Sequence, residues 1–347
     1  MKLSTGLMYA GNPREAADQV TALEQAGLDT IWVAEAYGFD SPTLMGYLAA
    51  KTETIEIGSA ILNIYSRTPG ALLQTAAGLD NVSGGRAILG LGASGPQVIE
   101  GFHGVPYASQ LGRTREIVDL IRRGMRREKL TSDGIFKLPL TKENGAVTGL
   151  GKPLKLLTHP ERDSVPIYIA ALGQKSVQGT AEYADGWLPF LYYPEKAKDV
   201  WGEAVANGTA KRPDSLAPLE VVAGGMVAIG EGPETKALLD FARPLIALYV
   251  GGMGARGKNF YNDLFCDYGF EKEAKEIQDL YLDGKKREAE ALVPMEFLEA
   301  MNLVGPESYV KERIAAYKES GVTNLQITPA SDDAPGLVRK VKELVNA

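Results

Sequence analysis

Residues 49–95 read AAKTETIEIGSAILNIYSRTPGALLQTAAGLDNVSGGRAILGLGASG, and this stretch decides the fold. It contains two short apolar runs, 55–62 and 86–91, with a segment over 68–85 between them that starts Thr-Pro and ends Gly-Gly. Proline in the first helical turn and glycine just past the last turn are typical helix boundaries. The stretch therefore predicts a strand, a helix and a strand in succession, which is the repeating unit of a parallel α/β sheet.

The same unit recurs on both sides of this stretch. Apolar runs predict eight strands, at 3–9, 30–36, 55–62, 86–91, 166–171, 186–191, 219–229 and 324–328, each followed by a helical pattern. Eight β/α units in 347 residues predict a single (β/α)8 TIM barrel domain over 1–347, with insertions at about 128–165 and 251–300. An open doubly wound sheet is the alternative, and it is disfavoured because no G-x-G-x-x-G follows the first strand.

Composition excludes several classes of function. Lys and Arg total 37 against 44 Asp and Glu, a net charge of −7, which argues against nucleic acid or an anionic membrane surface as partner. One cysteine and two histidines permit no intrachain disulfide and argue against a metal site. The sequence shows no signal peptide and no apolar run of membrane-spanning length, so we expect a cytoplasmic protein that acts on a small molecule.

Glycine-rich turns follow two of the predicted strands, where the active site of a barrel is built. Backbone N–H groups at a helix N-terminus favour an anion, so these turns predict an anion site. Ordinary tight turns between strand and helix remain the alternative. The residues are Gly92, Ala93, Ser94 and Gly95 after the fourth strand, and Gly173, Gln174 and Lys175 after the fifth.

A carboxylate, Glu35, follows the second predicted strand. A carboxylate at the carboxyl end of a barrel strand favours a functional role. The alternative is a salt bridge across the barrel mouth, for example to Arg67. We predict that Glu35 is the catalytic residue.

Four stretches together resemble one known family: WVAEAYGFDSP (32–42), the block 49–95, PIYIAALGQKSVQGTAEYADGWLP (166–189) and VGPESYVKERIAAYKESGVTNLQI (304–327). They resemble the bacterial luciferase-like family, and within it the coenzyme F420-dependent oxidoreductases, a branch that includes methylenetetrahydromethanopterin reductase. The resemblance covers most of the barrel and neither insertion. It implies hydride transfer between C5 of the deazaflavin and a small organic substrate.

The resemblance also implies a site. It places a non-prolyl cis peptide at Ala60–Ile61 behind the cofactor ring, with the glycine turns at the cofactor tail and phosphate. The cofactor-binding residues that it implies are Tyr9, Glu35, Ala60, Ile61, Asn63, Gly92, Ala93, Ser94, Gly95, Gln97, Ala171, Gly173, Gln174 and Lys175.

Departures from the reductase pattern indicate a changed substrate site. Met8 stands where that pattern has an acidic residue, and Glu35-Ala36 where it has Asp-His. A related sugar-phosphate dehydrogenase pattern has a catalytic glutamate where this chain has Gly95. The substrates of these relatives therefore cannot be carried over.

Two other functions stay open at this point. One is an FMN-dependent monooxygenase of the same family, which usually holds the phosphate with an arginine. The other is a barrel that binds a flavin or deazaflavin without catalysis. The resemblance further predicts a homodimer, and the early helices carry leucines that could form its interface, namely Leu44, Leu48, Leu72 and Leu73.

Overall fold

The computed structural model describes residues 1–7 and 11–346. Among these residues, eight parallel strands close into a barrel in which each strand pairs with the next and the last pairs with the first. The predicted (β/α)8 TIM barrel is therefore confirmed. The strands are β1 (Lys2–Gly6), β2 (Thr30–Val33), β3 (Glu56–Ser59), β4 (Ala87–Gly92), β5 (Ile167–Ala170), β6 (Gly186–Leu188), β7 (Glu220–Ala223) and β8 (Asn324–Gln326).

Helices surround the barrel, and each of the first three begins at a capping side chain. Asn12, Asp40 and Thr68 each accept a hydrogen bond from a backbone N–H of the first turn, and each helix has proline in that turn. The α-helices are α1 (Pro13–Gln25), α2 (Ser41–Lys51), α3 (Pro69–Ser83), α4 (Pro96–Gly101), α5 (Gln110–Met125), α6 (Gln174–Tyr183), α7 (Pro194–Thr209), α8 (Pro233–Ala237), α9 (Arg243–Ala247), α10 (Phe260–Asp267), α11 (Glu271–Leu282), α12 (Lys286–Ala291), α13 (Met295–Met301), α14 (Glu307–Glu319) and α15 (Ala334–Asn346). Within the part of the chain that is described, no helix is long and apolar enough to cross a membrane.

Apolar side chains form two separate layers. The larger layer lies between the helices and the strands, and it buries Leu44, Leu48, Leu72 and Leu73. These four leucines therefore offer no apolar surface to a second copy of the chain. The smaller layer fills the barrel interior with Trp32, Ile88, Tyr168, Leu188 and Val222.

The predicted strand at 219–229 is wrong as a single element. After β7 the chain leaves the barrel, and Met226–Ile229 joins a separate sheet with Leu303–Gly305 and Thr328–Pro329. The two glycines between these strands explain the break, because both lie against other backbone segments. A Cβ on Gly224 would lie 2.0 Å from the Gln326 carbonyl oxygen, and one on Gly225 would lie 2.2 Å from the Met301 oxygen.

The first predicted insertion, 128–165, has little regular structure. It contains an antiparallel pairing of Ser132–Asp133 with Lys137–Leu138 and a 3-10 helix at Lys142–Asn144. Its far end is fixed to α3 by the buried Asp80, which accepts hydrogen bonds from the backbone and the guanidinium of Arg162.

The second predicted insertion, 251–300, is largely helical and contains α10 to α13. A 3-10 helix at Leu238–Ala242 precedes α9, and a π-helix at Leu248–Gly252 follows α9 and runs into the first residues of the insertion. The π-helix matters for the site, because π-turns within helices often occur at functional positions.

Replacing Gly90 with alanine is expected to lower the free energy of unfolding by about 2–3 kcal/mol. A Cβ at Gly90 would lie 1.8 Å from the carbonyl oxygen of Ser59 on β3, so the two strands would have to separate. The control is Gly46→Ala, because Gly46 lies in α2 and a Cβ added there would meet no neighbouring atom within 4 Å. Alanine there should stabilise by about 0.5–1 kcal/mol. Urea unfolding of both variants is the measurement, and equal stabilities would contradict the prediction.

Candidate active site

The carboxyl ends of the barrel strands meet at one end of the molecule, where an irregular turn follows β3. The peptide bond between Ala60 and Ile61 is cis, which confirms the prediction from the resemblance. Ala60, Ile61 and Ala170 pack on the side chains that fill the barrel and remain partly exposed. These three residues form an apolar surface that we call the cleft floor.

Gly92, the last residue of β4, lies directly beside the cleft floor. A Cβ on Gly92 would lie 2.7 Å from Ile61 Cδ1 and 3.2 Å from Ala170 Cβ. Any larger residue would therefore displace the floor. Glycine is needed here for the close approach of three chain segments, rather than for an unusual backbone angle.

The turn after β4 forms one rim of the cleft. Ser94 lies in the left-handed region with a φ of 57°, and Gly95 is the N-cap residue of α4. The Tyr107 hydroxyl donates to the Ser94 carbonyl oxygen at 2.9 Å, which fixes this turn. Ala93 is half-buried and Gln97 is exposed on the same rim.

The turn after β5 forms a second rim. Gly173 precedes α6 and offers no side chain to cap it. The Ser176 N–H donates to the Gly173 carbonyl oxygen, which leaves the N–H groups of Gln174 and Lys175 for a ligand. Lys175 is exposed in that turn, whereas the Gln174 side chain donates to the Val200 carbonyl oxygen at 2.6 Å. Ala171 is buried, and its carbonyl oxygen accepts from the indole N–H of Trp187.

Asn63 holds the loop after β3. Its side chain is buried, and its Oδ1 accepts from the backbone N–H groups of Tyr65 at 3.1 Å and Ser66 at 2.7 Å. Its Nδ2 lies 3.2 Å from the ring of His103. These contacts give the Asn63 side chain a structural part in the loop, and its predicted contact with a cofactor stays a prediction.

Glu35 forms the salt bridge with Arg67 that the sequence analysis left as an alternative. Its two carboxylate oxygens lie 2.5 and 2.8 Å from the two terminal nitrogens of the Arg67 guanidinium, and the backbone N–H of Ser41 donates to it at 3.0 Å. This contact with the Glu35 carboxylate raises the pKa of Arg67. Arg67 also donates to Asp40 at 2.7 Å. The pair joins the loops after β2 and β3, and the catalytic role of Glu35 stays a prediction.

Tyr9, another predicted cofactor-binding residue, lies outside the described residues. Over 1–7 and 11–346, no group of three or more His, Cys, Asp or Glu side chains is arranged to hold a metal ion.

Aromatic side chains from four loops line the same end of the barrel, and sequence reasoning missed them. We call this group the aromatic wall, and its members are Tyr65, Tyr107, Phe190, Tyr249 and Tyr261. The Tyr65 and Tyr107 rings lie 5.4 Å apart, and the Phe190 ring lies 4.5 Å from that of Tyr249 and 5.9 Å from that of Tyr261. Burial raises the pKa of Tyr107 to about 12. The sequence shows only that tyrosine and phenylalanine are frequent in and just before the second insertion, and this does not reveal which rings they meet.

Comparisons with known proteins agree with this architecture. The sequence model of the family described as luciferase-like monooxygenase matches residues 1–324. A protein of Mycobacterium tuberculosis whose name places it among the coenzyme F420-dependent oxidoreductases is 39% identical over 338 residues, covering 95% of this chain and 96% of that protein. The 5,10-methylenetetrahydromethanopterin reductase of Archaeoglobus fulgidus is 27% identical over 330 residues, covering 93% and 91%. The structure of the coenzyme F420-dependent tetrahydromethanopterin reductase from Methanopyrus kandleri superimposes with a TM-score of 0.81 at 19% identity, covering 99% of this chain and 98% of that one.

Proposed function

The chain belongs to the luciferase-like monooxygenase family, and from this premise we propose that it is a coenzyme F420-dependent oxidoreductase. The proposed reaction is hydride transfer between C5 of the deazaflavin and a small organic substrate. The observation that carries the proposal is the 39% identity, over nearly the whole chain, to a protein named as an F420-dependent oxidoreductase.

The cleft suits the cofactor in shape and in chemistry. Ala60 and Ile61 offer an apolar surface for the back of a flat ring, and Gly92 adds no side chain that would displace this surface. Backbone N–H groups at Ser94 and Gly95, and at the start of α6, would hold the phosphate and the tail. When bound, F420 supplies the carbon centre that gives or accepts the hydride.

The chain's own residues orient the reactants and exclude water. We propose that the aromatic wall, whose rings contact one another, covers one side of the cleft with apolar ring surface. Glu35 and Arg67 place a fixed pair of opposite charges between the loops after β2 and β3. We propose that the Glu35 carboxylate acts on charge that develops during hydride transfer.

FMN-dependent chemistry is the less favoured alternative. Arg67 is the arginine that sequence reasoning placed at the rim, and it is already bound by Glu35 and Asp40. An arginine held by two carboxylates is a poor phosphate ligand, because binding phosphate would require it to leave them.

F420 is expected to bind at least ten times more tightly than FMN, and a tenfold difference corresponds to about 1.4 kcal/mol. Both cofactors present a phosphate to the glycine turns, so the negatively charged F420 tail must make the difference, and the exposed Lys175 lies where it can meet that charge. Arg256 in the second insertion is a less suitable partner for the tail, because it pairs with Asp279 at 2.8 Å. Fluorescence titration of both cofactors at low and high salt is the measurement.

A variant that removes the positive charge of Lys175 tests whether this side chain makes the difference. Lys175→Gln should weaken F420 binding and reduce its salt dependence, because exposed charges are screened by salt. Lys152→Gln, at an exposed position in the first insertion, is the control and should change neither. Equal affinities of the wild type for F420 and FMN would favour the FMN-dependent alternative instead.

Turnover separates an enzyme from a barrel that only binds the cofactor. Reduced F420 is mixed with the protein and a panel of ketones, enones and imines, and the return of the oxidised deazaflavin is followed by absorbance. We expect at least one acceptor to support turnover. Tight F420 binding without turnover on the whole panel would favour the non-catalytic function.

We propose a homodimer, on grounds other than the four leucines of the early helices. The first insertion exposes several apolar side chains, among them Val147 at 97% and Leu157 at 95%. Exposed apolar side chains grouped on one segment favour a partner surface. Sedimentation at micromolar concentration should show a species of twice 37.2 kDa, and Leu157→Asp should shift it toward the monomer. A wild-type monomer would refute the proposal.

A further inference from the structure

Three members of the aromatic wall, Phe190, Tyr249 and Tyr261, lie outside the glycine turns proposed for the cofactor tail, and their geometry points to the substrate. We infer that the wall selects a neutral, planar, apolar ring compound as the substrate of this enzyme. The inference rests on the proposed function, because it names the class of molecule that would meet the cofactor in the cleft.

Three of the rings form a compact, preorganised group. The Phe190 and Tyr249 rings lie 4.5 Å apart at an angle of 49°, and the Tyr249 and Tyr261 rings lie 4.7 Å apart at 83°. All three residues are half-buried, so each ring is held by the protein while part of its surface remains open. A flat ring can pack against such a surface by stacking or edge-to-face contact.

The backbone beside Phe190 is held in an unusual conformation. Leu191 has a φ of 53°, in the left-handed region that leucine rarely adopts. The Tyr268 hydroxyl donates to the Leu191 carbonyl oxygen at 2.9 Å, and the backbone N–H of Tyr193 donates to that hydroxyl at 3.3 Å. Strained residues that their surroundings maintain are concentrated at functional sites. These two hydrogen bonds hold the backbone next to Phe190 in one conformation.

One buried side chain positions the other two rings. Asn259 Nδ2 donates to the carbonyl oxygens of Tyr249 at 2.9 Å and Val250 at 3.0 Å. Its Oδ1 accepts from the backbone N–H of Tyr261 at 3.0 Å and so caps α10. A single amide therefore ties the π-helix that carries Tyr249 to the helix that carries Tyr261. Preorganisation of this kind lowers the entropy that a ligand loses on binding.

The cation beside the wall lies over two aromatic rings and the hydroxyls of the wall carry no charge, which favours an uncharged ligand. The Arg113 guanidinium lies 4.9 Å from the centre of the Tyr65 ring and 4.8 Å from that of Phe136. Burial raises the pKa of Tyr249 and Tyr261, so their hydroxyls stay neutral and add no charge. A charged substrate would lose its hydration against these rings without gaining a counterion from them.

Calorimetric titration with three probes tests the inference. Coumarin is planar and neutral, trans-decalone has two rings but is not planar, and coumarin carboxylate is planar but anionic. Each is titrated into the protein with F420 bound and without it. We expect coumarin to bind about ten times more tightly than either of the others. Equal affinities for coumarin and trans-decalone, or tighter binding of the anion, would overturn the inference.

Variants assign the binding to the wall. Tyr249→Leu and Tyr261→Leu keep apolar volume but remove the flat rings, and each should weaken coumarin binding about tenfold. Asn259→Asp keeps the acceptor for the Tyr261 N–H but turns an oxygen toward two carbonyl oxygens, and it should weaken coumarin binding as well. Tyr47→Leu is the control, because Tyr47 lies on α2 with its ring beside Lys51, outside the cleft. Coumarin affinity that is unchanged in both tyrosine variants would overturn the inference.

Binding results that contradict the proposed function differ from those that contradict the substrate class. If the wild type does not bind F420, the proposed function is wrong, and coumarin binding that the wall variants weaken would still support a planar-ring site. If F420 binds and coumarin binds no more tightly than the other two probes, the proposed function stands and the substrate class is wrong.

Discussion

Replacing Glu35 with glutamine should lower kcat by about a hundredfold while the affinity for F420 changes by less than about threefold. The substitution keeps the size of the side chain and removes a negative charge that Arg67 and the Ser41 N–H now fix in place. A fixed charge contributes most when charge develops in the transition state, so turnover should fall more than binding. The measurement compares oxidation of reduced F420, with an acceptor that supports turnover, against fluorescence titration of F420.

A matched pair of charges on the outside of the barrel provides the control. Glu182 accepts two hydrogen bonds from the Arg115 guanidinium, at 3.0 and 2.6 Å, with the same two-point geometry. Glu182→Gln should leave kcat unchanged. If Glu35→Gln lowers thermal stability but keeps the wild-type kcat, Glu35 serves only to join the loops after β2 and β3.

Replacing Asp80 with alanine is expected to lower the free energy of unfolding by about 3 kcal/mol. The Asp80 side chain is fully buried, and its oxygens lie 2.9 Å from Arg162 Nε and 3.1 Å from the Arg162 backbone nitrogen. Breaking a buried pair usually costs about 3–5 kcal/mol. The lower end applies because the Arg162 side chain is 34% exposed and water can solvate part of its charge.

Urea unfolding of Asp80→Ala and Asp80→Asn is the measurement. The asparagine variant should retain part of the stability, since its amide oxygen can still accept a hydrogen bond from Arg162. Asp133→Ala is the control, because Asp133 pairs with Lys137 but is 97% exposed, and its loss should leave the melting temperature unchanged. A similar loss of stability in the Asp80 and Asp133 variants would show that burial of the pair does not matter.

Most of the barrel could be predicted from sequence because its signals are local. Proline and capping side chains mark the helix starts at Asn12, Asp40 and Thr68, and apolar runs mark the strands. The exception is the run 219–229, which was predicted as one strand and forms two. The contacts that divide it come from Gln326 and Met301, far away in the chain.

The candidate site was predictable in its backbone and less so in its side chains. The cis bond after β3 follows from a recognisable stretch of sequence, and the glycine at 92 follows from the same block. Asn63 contacts His103 and Gln174 contacts Val200, and the sequence identifies neither partner. The aromatic wall was missed because its rings come from separate loops and meet only after the chain has folded.

The distribution of the site over the chain has an evolutionary consequence. The residues that back the proposed cofactor lie at the ends of barrel strands, where any change disturbs the packing of neighbouring strands. Tyr249 and Tyr261, by contrast, lie on one short stretch between α9 and α11 that Asn259 holds together internally. If that stretch selects the substrate, as we propose, descendants of this gene can acquire new substrates by mutating or exchanging it while the barrel is inherited unchanged.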